Sequence, residues 1–292
     1  MYKLLTDFLL YALMGPSPYH QEQSATDGSQ NSAQDQAKKV YERREDVEAQ
    51  RYRATLNPYG KTQYGNMGYW TDGVKTLDAA GEAMARLLGQ AGGLKPGVRV
   101  LDAGCGCGDE DVLWAREFKP DHIMAVDINP IRVEGAQDWA RALGISERLH
   151  FRVGSAVALD LEPASIDNVL SLESPHTFLP RDAFIREAFR VLVPGGRLAM
   201  TDLIPLPGRE VRHFAIPPEN ACSRDELARR LAEAGFVQIE VRSIREHVIK
   251  PFHRYLAKLP ANRGFSGNIR MFRRKRVAAK LDYVLVTAHK PN

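Results

Sequence analysis

The hydrophobic pattern changes character several times along the chain. Leu4, Leu5, Phe8, Leu9, Ala12 and Leu13 recur at helical spacing opposite Lys3, Thr6 and Asp7, which predicts an amphipathic helix over 2–14. Its expected contact is either the body of the protein or a second subunit, the latter giving a homo-oligomer joined through this helix. The polar face lacks the cluster of basic side chains that a membrane-surface helix favours. Residues 15–36 are Gln, Ser, Asn, Asp, Gly and Pro with almost nothing to bury, the composition of a flexible linker. A strongly charged helix is predicted over 38–56, with Val40, Tyr41, Val47 and Tyr52 as its sparse apolar side. Residues 57–70 are rich in aromatics and glycine and have no period. Such segments either staple a loop to a core or line a pocket. Helical spacing resumes over 78–88 and stops at Gly92-Gly93.

From Val98 the pattern alternates. Strands are predicted at 98–103, 122–127, 148–153, 166–172, 197–202, 237–244 and 281–289, and helices at 111–118, 130–144, 182–192 and 223–234. Asn129-Pro130 opens the second of these helices, and Ser223 with Glu226 caps the last. This alternation predicts an α/β fold, a doubly wound, mostly parallel sheet of seven strands whose ligands sit at the strands' carboxyl ends. The expected organisation is an N-terminal helix and linker (1–37), a helical and aromatic cap segment (38–97), and a core (98–292). That core carries insertions at about 203–222 and 245–280, read as lids over the ligand edge.

Composition narrows the class. Lys+Arg of 40 against Asp+Glu of 36 leaves only +4, too little to argue for nucleic acid. No nucleic-acid module and no Asn/Asp-Pro-Pro-Tyr base pocket is found, so a nucleic-acid partner is not expected. Cys105, Cys107 and Cys222 cannot all pair and lack zinc-ligand spacing, which suggests reduced thiols, a cytoplasmic protein and no metal. No apolar run is long enough for membrane insertion.

The chemistry begins at Arg99–Asp111, where an apolar strand breaks into Gly104, Gly106 and Gly108 and then turns acidic. This is either a ligand-binding turn or an ordinary strand-to-helix turn. A dinucleotide fingerprint places its last glycine one position later, and Asp109, Glu110 and Asp111 in the first helical turn repel a phosphate. No Lys-Ser/Thr pair follows, so a phosphate loop is excluded. A neutral or cationic ligand fits better.

Taken together, the motifs resemble the class I S-adenosylmethionine-dependent methyltransferases over about residues 57–292. Val100-Leu-Asp-Ala-Gly-Cys-Gly-Cys-Gly108 looks like the family's first motif, and Arg190-Val-Leu-Val-Pro-Gly-Gly-Arg-Leu198 like the turn before its fifth strand. Asn66-Met-Gly-Tyr-Trp70 and Leu172-Glu-Ser-Pro-His176 are similar to the natural-product and sterol-type branch, which acts on small molecules. The resemblance implies a Rossmann-like fold and S-adenosylmethionine as cofactor. It implies cofactor contacts from Asp102, Gly104, Cys105, Gly106, Ile128, Ala156, Leu172 and Trp70, with Asp127 taking the ribose hydroxyls. The family often places Gly-Asp-Ala after the third strand to hold adenine, and here Ser155 stands at the Asp position.

His176 is the candidate base, since it follows the fourth strand at the pocket end and histidine is the side chain suited to proton transfer at neutral pH; the alternative is a hydrogen-bonded loop histidine. Asp202 is expected either to orient it or to cap a loop. In similar sugar O-methyltransferases a second histidine follows, where this chain has Thr177. Tyr64, Tyr69, Phe178 and Glu173 are the candidate acceptor-binding residues. Phe214, Phe252 and Tyr255 extend the aromatic set, and His213, His247 and His253 are read as loop histidines. Arg273 and Arg274, in the basic run 270–276, are either a solvated face or a grip on an anionic head group. O-methylation of a small, largely apolar secondary metabolite is the favoured function. C-methylation of an alkene or prenyl diphosphate is the first alternative and a non-catalytic cofactor-binding protein the second.

Overall fold

The computed structural model describes residue 62 and residues 64–209, 216–259 and 278–292. The expected N-terminal helix, the linker, the charged helix, His213, Phe214 and the run containing Arg273 and Arg274 lie outside the described residues.

The first described helix, α1 (Leu77–Gly92), buries Met84, Ala85 and Leu88 on one stripe. Thr76 caps its first turn and Gly93, in the left-handed region, closes it. Strand β1 (Arg99–Ala103) leads into α2 (Asp109–Glu117), β2 (His122–Asp127), α3 (Pro130–Ala142), β3 (Leu149–Val153) and β4 (Ile166–Leu172). Then follow α4 (Arg181–Val191), β5 (Leu192–Pro205), α5 (Arg224–Glu233), β6 (Val237–Ser243), α6 (Arg245–Lys258) and β7 (Leu281–His289). The sheet order is β3-β2-β1-β4-β5-β7-β6, and β7 alone runs antiparallel to its neighbours.

Because side chains alternate across a strand, the sheet sorts its apolar residues onto two faces. Val100, Ile123, Leu170, Ala199 and Leu285 pack with α1, α2, α3 and α6. Leu101, Val126, Val169, Leu198 and Val284 pack with α4 and α5. Both faces are therefore covered, as the expected doubly wound sheet requires.

Three boundaries differ from expectation for identifiable reasons. Helix α2 starts at Asp109, two residues early, because Gly108 (φ +79°) makes the left-handed corner that lets all three acids enter the first turn. Strand β5 begins at Leu192 and absorbs Pro194-Gly195-Gly196, since Gly195 donates its N–H to Lys290 and Pro291 carbonyls at the C-terminus and the β4–β5 register shifts there. The second expected lid opens as the regular helix α6, whose Val248, Ile249, Phe252 and Leu256 are buried.

Gly108 cannot be replaced cheaply. A Cβ there would lie 2.5 Å from Phe151 Cζ, on a backbone that L residues avoid, whereas Gly144 (φ +67°) meets nothing within 4 Å. Gly108→Ala is expected to cost about 2–4 kcal/mol and Gly144→Ala about 1 kcal/mol. Thermal unfolding of the two variants checks this, and equal losses would contradict the close-packing argument.

Candidate active site

The carboxyl ends of the parallel strands form the site. Gly104 and Cys105 donate their N–H groups to the Val126 carbonyl, which pulls the glycine turn against the end of β2. There the Asp127 carboxylate accepts from the N–H groups of Gly106 (3.0 Å) and Asn129 (2.9 Å), and Arg132 lies 3.9 Å away. Ile128 is half-buried beside it, and Ser155 is half-buried after β3, with Ala156 buried in the core behind. Ser155 Oγ accepts only a long, 3.4 Å contact from the Val157 N–H.

Beneath the turn lies an acidic floor. Asp102 and Asp111 are wholly buried within hydrogen-bonding reach of each other, and their four carboxylate oxygens have no other hydrogen-bond partner. Burial first, and then the neighbouring acids, push both carboxyls well above the usual range. The same two causes raise the Cys105 thiol, so it stays protonated and is no nucleophile. A Cβ on Gly106 would meet nothing within 4 Å, which leaves the outer side of the turn open to a ligand. Open space over an electronegative floor fits a cofactor that carries an ammonium and a sulfonium and no phosphate, as S-adenosylmethionine does.

On the other side of the glycine turn, Ser174 donates its hydroxyl to the Gly104 carbonyl and immediately precedes the short turn Pro175–Thr177. That turn delivers His176, which is buried, with Nδ1 at 3.2 Å from Asp202 Oδ1. Asp202 is fully buried on β5 and also accepts from Arg181 Nη1 (2.6 Å) and from the Leu203 N–H (2.9 Å). Burial works to raise the Asp202 carboxyl, but the Arg181 charge and the His176 contact outweigh it and hold the group below the usual range. The expected His176–Asp202 pair is therefore present. Arg181, Asn220 and Cys222, which complete the cluster, were not foreseen. A carboxylate within a buried strand is itself the signal that a partner must be near or the charge given up.

Glu173 follows β4 with φ +52°, a conformation that is costly for a side chain this size. Its Oε2 accepts from the Met67 N–H (2.9 Å) and the Tyr283 hydroxyl (2.7 Å), so it ties the aromatic segment to β7. From there the segment crosses to α6: the Trp70 N–H donates to the His247 carbonyl, Tyr69 lies against the His247 ring, and Trp70 packs on Tyr255. Tyr64 reaches the Asp109 carbonyl at 3.4 Å. Phe178 is buried edge-on to Phe184, within the core beside Gly104. The aromatic segment is thus stapled to the core, one of the two roles its composition left open.

A protein-family model described as a methyltransferase domain matches residues 94–241, just over half of the chain. The erythromycin 3''-O-methyltransferase of Saccharopolyspora erythraea is 35% identical over 78% of this chain and 84% of that protein. The chain belongs to the methyltransferase domain family. A second relative of this methyltransferase, the 27-O-demethylrifamycin SV methyltransferase of Amycolatopsis mediterranei, is 31% identical over 77% of the chain and 89% of its own length. Among solved structures, a geranyl diphosphate methyltransferase in complex with S-adenosylmethionine superposes with a TM-score of 0.67, covering 78% of this chain and 98% of that one at 22% identity. The protein is an S-adenosylmethionine-dependent enzyme with the Rossmann-like fold its motifs implied. Among the described residues, no helix is long and apolar enough to cross a membrane, and no group of side chains is arranged to hold a metal.

Glu173 gives this site a measurable pH dependence. Burial raises its carboxyl from 4.5 to about 7, against the opposing pull of the Met67 and Tyr283 donors. The folded state must therefore ionise a group that the unfolded chain ionises more readily, and stability falls as pH rises through that window. With the side chain partly open to solvent, the loss is about 2 kcal/mol. Relative to wild type, Glu173→Gln is expected to gain about 1–2 kcal/mol between pH 5 and pH 8 in denaturant unfolding. A constant difference across that range would contradict a buried charge at Glu173.

Proposed function

We propose that the protein methylates a hydroxyl oxygen of a small, largely apolar natural product, with His176 taking the hydroxyl proton. The observation that carries this reading is the buried His176–Asp202 pair, set beside the glycine turn at the carboxyl edge of the sheet. Two curated relatives that are named for methyl transfer in antibiotic chemistry, one of them explicitly an O-methyltransferase, support it.

The cofactor supplies an activated methyl group on a sulfonium, so the protein has to bind, align and manage one proton. The backbone of Gly104, Cys105 and Gly106 would form the cradle, and Asp127 would take the ribose hydroxyls. Ile128, Ser155, Ala156, Leu172 and Trp70 would line the remaining length. Ser155 would offer adenine a neutral acceptor in place of a carboxylate, a weaker grip.

For His176 the neighbours decide the tautomer. Asp202 is ionised and accepts, so Nδ1 carries the hydrogen and Nε2 keeps its lone pair. As the acceptor oxygen gains a methyl, its proton passes to Nε2, and the Asp202 carboxylate stabilises the resulting imidazolium. Tyr64, Tyr69 and Trp70 would wall the acceptor from water, with Glu173 fixing the segment they stand on. The three free cysteines accord with a reducing, cytoplasmic setting.

C-methylation of a prenyl diphosphate is the weaker reading, because it rests on a fold likeness at 22% identity and on Arg273 and Arg274. The non-catalytic alternative loses to the two named methyltransferases among the relatives.

His176→Ala is expected to lower kcat by about 10²–10³ while leaving cofactor affinity by calorimetry within about threefold. Unchanged turnover would remove His176 as the proton acceptor.

A further inference from the structure

Arg181 is the first residue of α4, wholly buried, and its position is an expensive one for a cation. A guanidinium removed from water costs several kcal/mol, and at a helix N-terminus it also opposes the helix dipole. Holding α4 against β5 does not require it, since an apolar side chain of similar volume would do so at no such cost. What Arg181 does contact is specific. Its Nη1 donates to Asp202 Oδ2 at 2.6 Å, and its Nη2 donates to the Asn220 carbonyl at 2.6 Å and to Cys222 Sγ at 2.7 Å. Nε has no partner, so the head group is placed by Asp202 and Asn220 and not by full satisfaction of its donors.

Asn220 closes the frame. Its Oδ1 accepts from the Arg181 backbone N–H at 3.0 Å, and its Nδ2 donates to the His176 carbonyl at 3.0 Å and the Phe178 carbonyl at 2.6 Å. One amide therefore fixes both the loop that carries His176 and the helix turn that carries Arg181. The two side chains meet on opposite oxygens of the Asp202 carboxylate.

We propose that Arg181 is a positioning residue for methyl transfer: by keeping Asp202 charged, it keeps the His176 hydrogen on Nδ1 and leaves Nε2 free to accept a proton. This rests on the reading of His176 as proton acceptor. Without the Arg181 charge, a fully buried Asp202 would favour its neutral form or share a proton with His176, and either outcome removes the defined tautomer. The groups facing the pair are Glu173 at the end of β4, Tyr283 on β7, and Cys222 ahead of α5, with Arg230 and Asp182 one shell further out beside Cys222 and Arg181. None of them brings another cation into contact with Asp202 among the described residues. Removing Arg181 therefore raises the pH at which the His176–Asp202 pair takes up a proton.

The test reads His176 directly, by nitrogen-15 and proton NMR of histidine-labelled full-length protein, with the His176 signals assigned from His176→Gln. Wild type, Arg181→Met, Arg181→Gln and Arg181→Lys are titrated without acceptor, and kcat against pH is recorded in parallel. Wild type should show the hydrogen on Nδ1. The neutral variants should take up the proton at least about one pH unit higher, with the acid limb of kcat moving by the same amount. Arg181→Lys should restore the wild-type midpoint. Arg181→Gln keeps a donor for Asp202 and serves where Arg181→Met does not fold. Folded neutral variants with the wild-type midpoint, or a fall in kcat that is parallel at every pH, would overturn the proposal. A midpoint that shifts in the neutral variants while the wild-type protein transfers no methyl group would leave the hold of Arg181 on the His176–Asp202 pair standing and overturn the methylation reading instead.

Discussion

Four carboxylates converge where the parallel strands end, at Asp102, Asp127, Glu173 and Asp202, and the low-dielectric edge of the sheet obliges each to find a partner or give up its charge. The solutions differ, and the differences make the site. Asp127 is held by the N–H groups of Gly106 and Asn129. Asp202 is bracketed by Arg181 and His176. Glu173 is pinned by Met67 and Tyr283 but remains hard to ionise, and Asp102, set against the buried carboxyl of Asp111, is pushed well up. One edge thus offers a buried acid pair, a carboxylate held by backbone donors and a His–Asp pair backed by an arginine within a few strands of one another.

Much of the fold was legible because both signals it uses are local. Periodicity located all seven strands, and caps such as Asn129 and Ser223 located helix starts to within a residue or two. Gly104, Gly106 and Asp127 fall at adjacent strand ends for the same reason, since strand order in a parallel sheet brings β1 and β2 together. The partners from β7 and from the segment before α5 were not legible. Tyr283 reads as an ordinary strand residue until its hydroxyl is seen on Glu173, 110 positions earlier in the chain. Arg181 reads as a helix-start arginine, and only the depth of Asp202 reveals why it is buried. Long-range pairings of polar groups leave no periodic trace, so the sequence shows the need for a partner without showing which residue meets it.

The aromatic segment shows how an irregular stretch can be held in place. Its described residues form no helix or strand, and they are held by Glu173 at Met67, by the Ala80 carbonyl of α1 at Tyr69 and by the His247 carbonyl of α6 at Trp70. The position of the segment therefore depends on how α1 and α6 both sit against the sheet.

The atom that receives the methyl group separates oxygen methylation from carbon methylation. The most direct measurement uses S-adenosylmethionine labelled with carbon-13 in its methyl group, presented to the full-length enzyme with a panel of hydroxylated polyketides, glycosylated macrolactones and prenyl diphosphates, and reads the labelled product by NMR. The predicted result is a labelled methyl ether, formed from a hydroxylated acceptor. A label bonded to carbon, or transfer confined to the prenyl diphosphates, would contradict it.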